Sequence, residues 1–190
     1  IGESERNFKR AMKAAETMSP VVLWIDELEK AFATGSAGSE DGGVSQRILG
    51  SFLSWLQDRR GDVFIVATAN DVQALPPEFL RKGRFDEIFF VDLPDAPTRA
   101  EIFRIHLEAR DQAMEAFDLG ALADASAGFS GSEIEEVVVS GLYTVFGNRG
   151  ALTQEVLARE IAGTRPLSVT RAEHIRELRE WARGRTVPAN

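Results

Sequence analysis

Cysteine is absent from the 190 residues, which excludes disulfides and thiolate metal sites and agrees with a reducing compartment. Histidine is almost as scarce. His106 and His174 stand far apart, without the carboxylate pattern of a zinc site. No run approaches the roughly 18 consecutive apolar residues that a membrane span needs, and nothing near the start has the charged, apolar, small-residue order of a signal sequence. The expected location is therefore cytoplasmic, with no membrane partner. Basic residues are outnumbered, 22 Lys and Arg against 30 Asp and Glu, for a formal charge of −8. That balance disfavours a surface built to neutralise nucleic-acid phosphates and makes a protein the expected partner, although an acidic ring can carry a basic pore. Internal repeats with periods of about twenty to fifty residues are lacking, which excludes a solenoid.

What is present is a globular composition, 44% apolar, enough for one large domain or two small ones. The chain enters a helical pattern directly from Ile1, so a fragment of a longer protein is the expectation. Phe8, Ala11, Met12 and Ala15 recur at helical spacing and predict a helix from Glu3 to Glu16 that stops at Ser19-Pro20. Three short apolar runs, 21–25, 63–67 and 88–91, each end in polar residues and read as parallel strands covered on both faces. Between the first two, residues 33–43 lack apolar anchors and read as a mobile loop. A helix is expected from Val44 to Gln57, carrying a stripe of Ile48, Leu49, Phe52, Leu53 and Leu56. After Pro97 strand signals disappear. Helical patterns follow near 98–110, 118–126, 130–147, 153–163 and 171–183, with capping-box signatures at Ser130/Glu133 and Thr170/Glu173. The fold class is thus α/β with a parallel sheet, passing into an all-α part near residues 93–97.

Two adjacent acids after an apolar strand can divide labour in the crevice at the strand's carboxyl end. Asp26 would hold magnesium and Glu27 would polarise an attacking water. A solvated turn with Asp26 as a helix cap explains the same two residues. Asn70, ending the next strand, offers an amide to the same water or to a γ-phosphate, or else simply forms a turn with Asp71. Arg81 and Arg84 lie three apart; guanidinium groups there suit the charge of a transferring phosphoryl group, or a solvated turn.

The order and spelling of these pieces resemble the classical AAA family of AAA+ ATPases, from Ile1 to about Thr164. Gly2-Glu3-Ser4-Glu5 with Phe8 is similar to that family's segment after the substrate-gripping pore loop. Val21 to Glu27 resembles its Walker B strand, Thr68-Ala69-Asn70 its sensor 1, and Leu80 to Asp86 its arginine-finger region. A closer likeness is to little-characterised ATPases encoded in some chloroplast genomes and in cyanobacteria and other bacteria. It rests on Ala69-Asn70-Asp71, Leu75-Pro76-Pro77, the run Gly83 to Asp92, and Pro166-Leu167-Ser168.

The resemblance implies a P-loop-type nucleotide domain over 1–95, a helical lid over 96–165 and a helical extension over 166–190. It implies ATP and Mg2+ as cofactors, and assembly into a ring, with six subunits expected. Arg81 and Arg84 become fingers serving the neighbouring subunit, and the 33–43 loop resembles a second pore loop. Ile102 and His106 match base- or ribose-contacting positions, and Gly131 and Ser132 fall in a lid motif near the adenine. His106 also shares a helical face with Ile102 and Phe103, where it would merely edge the lid core. The chain departs from the family at Ala69, Asp71 and Ser132, where threonine, arginine and alanine are usual. No Gly-x-x-x-x-Gly-Lys-Ser/Thr loop occurs among the 190 residues; in the family it lies upstream of the region matched here. The expected function is ATP-driven remodelling of a protein partner. Alternatives are a nucleotide-silent regulatory or adaptor module and a DNA-associated loader, the last disfavoured by the acidic balance. A plastid-encoded form would place the protein in the chloroplast stroma.

Overall fold

The computed structural model describes residues 3–32, 42–58, 61–81, 83–147 and 150–189. They form two units, 1–88 and 89–190.

The first unit opens with α1 (Glu3–Thr17), followed by β1 (Val21–Ile25), the short α2 (Leu28–Phe32), α3 (Gly42–Asp58) and β2 (Val63–Ala67). The α/β class expected from the sequence is observed. β1 and β2 pair in parallel, Val21 opposite Val63 through to Ile25 opposite Ala67, and the long connection through α3 is what parallel pairing demands. Met12 of α1, Leu28 and Phe32 of α2, Phe52 and Leu56 of α3, and Phe79 form the buried core. Phe32 and Phe52 stack with ring centroids 5.4 Å apart, and Phe79 lies 5.1 Å from Phe32. This aromatic cluster fixes the helices against one face of the sheet.

One expectation is corrected here. The strands are not covered on both faces. Burial alternates along them, and Val22, Trp24 and Phe64 remain 64%, 69% and 68% exposed. An unbroken apolar run is compatible with two-sided burial, but among the described residues helices cover only one side. Of the segment expected as a mobile loop, 33–41 lies outside the described residues, while Gly42 and Gly43 begin α3.

The second unit contains β3 (Phe89–Phe90), α4 (Ala96–Glu108), α5 (Leu119–Ala125), α6 (Gly131–Gly147), α7 (Gln154–Gly163), the single turn α8 (Leu167–Thr170), α9 (Ala172–Ala182) and β4 (Val187–Pro188). The third apolar run does not join the β1–β2 sheet. Phe89 and Phe90 pair in parallel with Val187 and Pro188, and the Ala189 N–H donates to Phe90 O at 3.0 Å. An apolar run states that a strand exists, not which edge will satisfy its backbone groups. Here the returning tail does so, secured by Arg179 Nε, which donates to both oxygens of Asp92 at 3.0 and 2.8 Å.

Helices α4 to α7 enclose their own core, with Phe103, Leu107, Ile134, Val138 and Leu157 fully buried. Their starts follow side-chain caps. Asp95 Oδ1 accepts from Thr98 N at 2.9 Å, Asp118 Oδ1 from Ala121 N at 3.0 Å, and Ser130 with Glu133 forms the expected capping box. The second expected box does not form. Thr170 lies inside α8, its hydroxyl donating to Pro166 O, and Arg171 precedes α9 without a side-chain cap. A one-residue separation between two helices leaves Thr170 in the wrong backbone conformation to cap the second. The buried Arg99 is satisfied by Ala123 O at 2.9 Å and Pro94 O at 2.7 Å.

Candidate functional site

Parallel pairing brings the carboxyl ends of β1 and β2 side by side, and the polar residues just beyond them meet. Thr68 Oγ1 is the hub. It donates to Asp26 Oδ1 at 2.5 Å and accepts from the Glu27 N–H at 3.1 Å. The backbone extends the link: Thr68 N donates to Ile25 O at 2.9 Å and Leu28 N to Thr68 O at 2.8 Å. Glu27 therefore sits in a tight reversal with φ of 50°, a left-handed conformation that a non-glycine residue adopts only when its surroundings impose it.

The side chains continue the network. Asn70 Nδ2 donates to Glu27 Oε1 at 3.2 Å, and Lys30 Nζ lies 2.6 Å from the same oxygen. Glu27 Oε2 takes part in neither bond. The hydrogen bond to Glu27, with the charges of Glu27, Glu29 and Asp26 around it, holds the Lys30 ammonium above its ordinary range. The backbone N–H of Asn70 donates to Glu29 Oε1 at 3.1 Å. Asp26, Glu27 and Asn70, three residues singled out by sequence, are thus brought together. Glu29 and Lys30 carry no signal in the motif; their positions two and three residues after Glu27, at the start of a short helix, are the only hint.

Chemically, the cluster offers an exposed carboxylate oriented by a hydroxyl, a second carboxylate with one oxygen anchored, and an amide beside it. The donor set fits magnesium, which is usually held by one or two carboxylates and completes its octahedron with water and phosphate oxygens. Among the described residues no group of three or more His, Cys, Asp or Glu is placed to hold a metal ion by itself, and Asp26 is the carboxylate that would hold such a cation. Such a cation, when bound, neutralises charge on a transferring phosphoryl group.

The two arginines do not join this cluster. Arg84 Nη1 donates to Leu53 O at 2.9 Å and to Gln57 Oε1 at 2.8 Å, both at the end of α3. Arg81 is exposed after the turn Pro77–Leu80. Gly83, with φ of +87°, turns the chain between them, a conformation glycine adopts without strain.

In the second unit, Ile102 and His106 lie one turn apart on α4, and Gly131 and Ser132 open α6. Ile102 and Gly131 are neighbours: a methyl on Gly131 would sit 3.6 Å from Ile102 Cδ1. Ser132 Oγ is 3.2 Å from Ser130 Oγ. His106 belongs to a charged group in which Arg110 reaches His106 Nδ1 at 3.2 Å and Glu135 Oε1 at 2.8 Å. The Arg110 hydrogen bond, aided by His106, holds the Glu135 carboxyl below its ordinary range. No helix among the described residues is long and apolar enough to cross a membrane.

Residues 1–93 match the family described as "ATPase family associated with various cellular activities (AAA)". The chain is 43% identical over 183 residues to the "Uncharacterized AAA domain-containing protein ycf46" of Guillardia theta, an alignment covering 96% of this chain and 36% of that protein. The protein of the same description from Pyropia yezoensis is 41% identical over 183 residues, again 96% of this chain and 37% of the relative. The "Cell division cycle protein 48 homolog" of Archaeoglobus fulgidus is 31% identical over 139 residues, which covers 72% of this chain and 19% of that protein. The chain thus spans little more than a third of the length of the two ycf46 relatives. It belongs to the AAA family of ATPases, with a partial P-loop α/β domain followed by a helical lid and with homology to the ycf46 proteins along nearly its whole length.

Proposed function

We propose that this chain carries the hydrolytic residues of a cytoplasmic AAA ATPase that assembles into a ring, six subunits being the proposed number, and couples ATP hydrolysis to remodelling of a protein partner. The observation that carries the reading is the hydrogen-bonded group Asp26, Thr68, Glu27 and Asn70 at the paired strand ends. Asp26 would hold a magnesium ion, which would supply positive charge against the triphosphate. Glu27 takes a proton from the attacking water, and Asn70 orients that water through its amide. Arg81 and Arg84 act on the nucleotide of a neighbouring subunit, while Ile102, His106, Gly131 and Ser132 face the base and ribose. The acidic composition, with 30 acidic against 22 basic residues, supports a protein partner over nucleic acid.

The test is Glu27→Gln in the full-length protein. The amide keeps the shape of the side chain but accepts no proton from water, so ATP affinity stays near that of the parent while single-turnover hydrolysis falls about 100-fold or more. Hydrolysis at the parental rate would make Glu27 a turn residue only.

A further inference from the structure

Glu29 is the buried acid that the hydrolytic reading leaves unused. It lies in α2 between Leu28 and Lys30 and is only 6% exposed, beside the core residues Leu28 and Phe32. An aliphatic side chain would fill such a position without stripping water from a carboxylate, a cost that a fold offsets only by specific hydrogen bonds. One oxygen has such a bond: Oε1 accepts the Asn70 backbone N–H at 3.1 Å. The other, Oε2, is buried without a hydrogen-bond partner among the described residues.

The place of that bond gives it a purpose. β2 is attached to the turn after β1 by successive bonds: Thr68 N to Ile25 O, Leu28 N to Thr68 O, and the Glu27 N–H to Thr68 Oγ1. At Asn70, two residues farther on, the strand ladder has ended, and the Glu29 side chain supplies the acceptor for the next backbone donor. The same asparagine donates its side-chain amide to Glu27 Oε1 at 3.2 Å. Glu29 thus grips the backbone of the residue whose side chain reaches Glu27.

We propose that Glu29 is a positioning residue for ATP hydrolysis, holding the Asn70 backbone so that the Asn70 amide addresses Glu27 and the water between them and the nucleotide. This rests on the assignment of Glu27 and Asn70 as hydrolytic residues. Glu29 touches neither nucleotide nor water; it acts through Asn70, and its effect falls on the chemical step and not on nucleotide affinity.

The experiment measures ATP affinity and single-turnover hydrolysis in the full-length protein for Glu29→Ala, Glu29→Gln, Asn70→Ala and the Glu29→Ala/Asn70→Ala pair, with Glu27→Gln as reference. Glu29→Ala is expected to slow hydrolysis about tenfold or more while the dissociation constant for ATP stays within about twofold. Glu29→Gln, whose carboxamide oxygen still accepts from the Asn70 N–H, keeps at least about half of the parental rate. In the Asn70→Ala background the Glu29→Ala change adds less than about twofold, because a residue acting through another loses its effect once that other is gone. An unchanged rate in Glu29→Ala, the same loss in both backgrounds, or an equal loss in Glu29→Gln overturns the proposal. If Glu29→Ala does not fold, Glu29→Asp, one methylene too short to reach the Asn70 N–H, must show the same slowing and the same lack of additivity. Failure of the underlying assignment is separately visible, since Glu27→Gln and Asn70→Ala would then both hydrolyse ATP at the parental rate.

Discussion

Thr68→Val removes one hydroxyl from the centre of the strand-end network and leaves volume and strand propensity almost unchanged. Two hydrogen bonds are lost. The Glu27 N–H, part-buried and 3.1 Å from Thr68 Oγ1, is left without its acceptor, a loss of about 1–3 kcal/mol for a buried donor. The Asp26 carboxylate loses its 2.5 Å partner, but it is exposed and water takes the hydroxyl's place, so this contributes little. The sum is about 1–3 kcal/mol, or a fall in Tm of roughly 2–12 °C for a chain of this size.

The functional effect is larger than the stability effect. Glu27 is held at φ of 50°, a conformation that costs about 1–2 kcal/mol for an L-residue. Without the Thr68 hydroxyl, the turn relaxes and the carboxylate shifts relative to Asn70. Displacements of about 1 Å at a reacting group lower rates by up to about 100-fold. Single-turnover hydrolysis in the full-length protein should therefore fall about 10- to 100-fold with ATP affinity retained. Thr68→Ser, which restores the hydroxyl, should recover most of the rate. The reasoning is refuted if Thr68→Val melts within about 1 °C of the parent and hydrolyses ATP at the same rate.

The arginines should separate by their different surroundings: Arg84→Ala breaks the bonds to Leu53 O and Gln57 and lowers both stability, by about 1–2 kcal/mol, and hydrolysis, whereas Arg81→Ala lowers hydrolysis with an unchanged melt. Mixing Arg81→Ala with Glu27→Gln subunits should restore part of the activity if the guanidinium acts across an interface, and confirmed mixed rings with no recovery would count against that role. Phe52→Ala empties a site that is 0% exposed and stacked on Phe32, so denaturant melts should register a loss of about 3–5 kcal/mol; a loss below about 1 kcal/mol would mean the aromatic cluster collapses into the space. The Thr98 hydrogen bonds hold the Asp95 carboxyl below its ordinary value of 3.8, so its stabilising contribution is complete above that value and disappears as pH falls through the lower folded value. Asp95→Ala should therefore flatten the acid limb of the stability curve, and parallel curves for mutant and parent down to pH of about 3 would show that the cap carries no weight.

Local and periodic features of this protein are legible without coordinates. The 3.6-residue spacing of Phe8, Met12 and Ala15 leads to α1, observed as Glu3–Thr17, and the α6 start follows from Ser130 with Glu133 because a capping box closes within four residues. Asp26, Glu27 and Asn70 are legible for a similar reason. Each stands within three residues of the end of an apolar run, and parallel strands place their carboxyl ends at the same level. Thr170 marks where such reading stops, since its hydroxyl suits a cap but its backbone already belongs to α8.

Only the tertiary structure decides what an element meets. Phe89 and Phe90 read as a strand but pair with Val187 and Pro188, because backbone donors and acceptors look alike in every strand and the choice of edge depends on where the tail returns. Trp24 and Phe64 read as buried yet lie on the open face, because residue identity states what a side chain prefers and not whether another layer covers it. Nothing in the spacing of Arg84 states that its guanidinium bonds the end of α3, and Glu29, which carries no motif signal, is buried against the Asn70 backbone, 41 residues away. Spacing along the chain carries local geometry; a hydrogen bond between distant residues exists only once packing has brought its two atoms within reach.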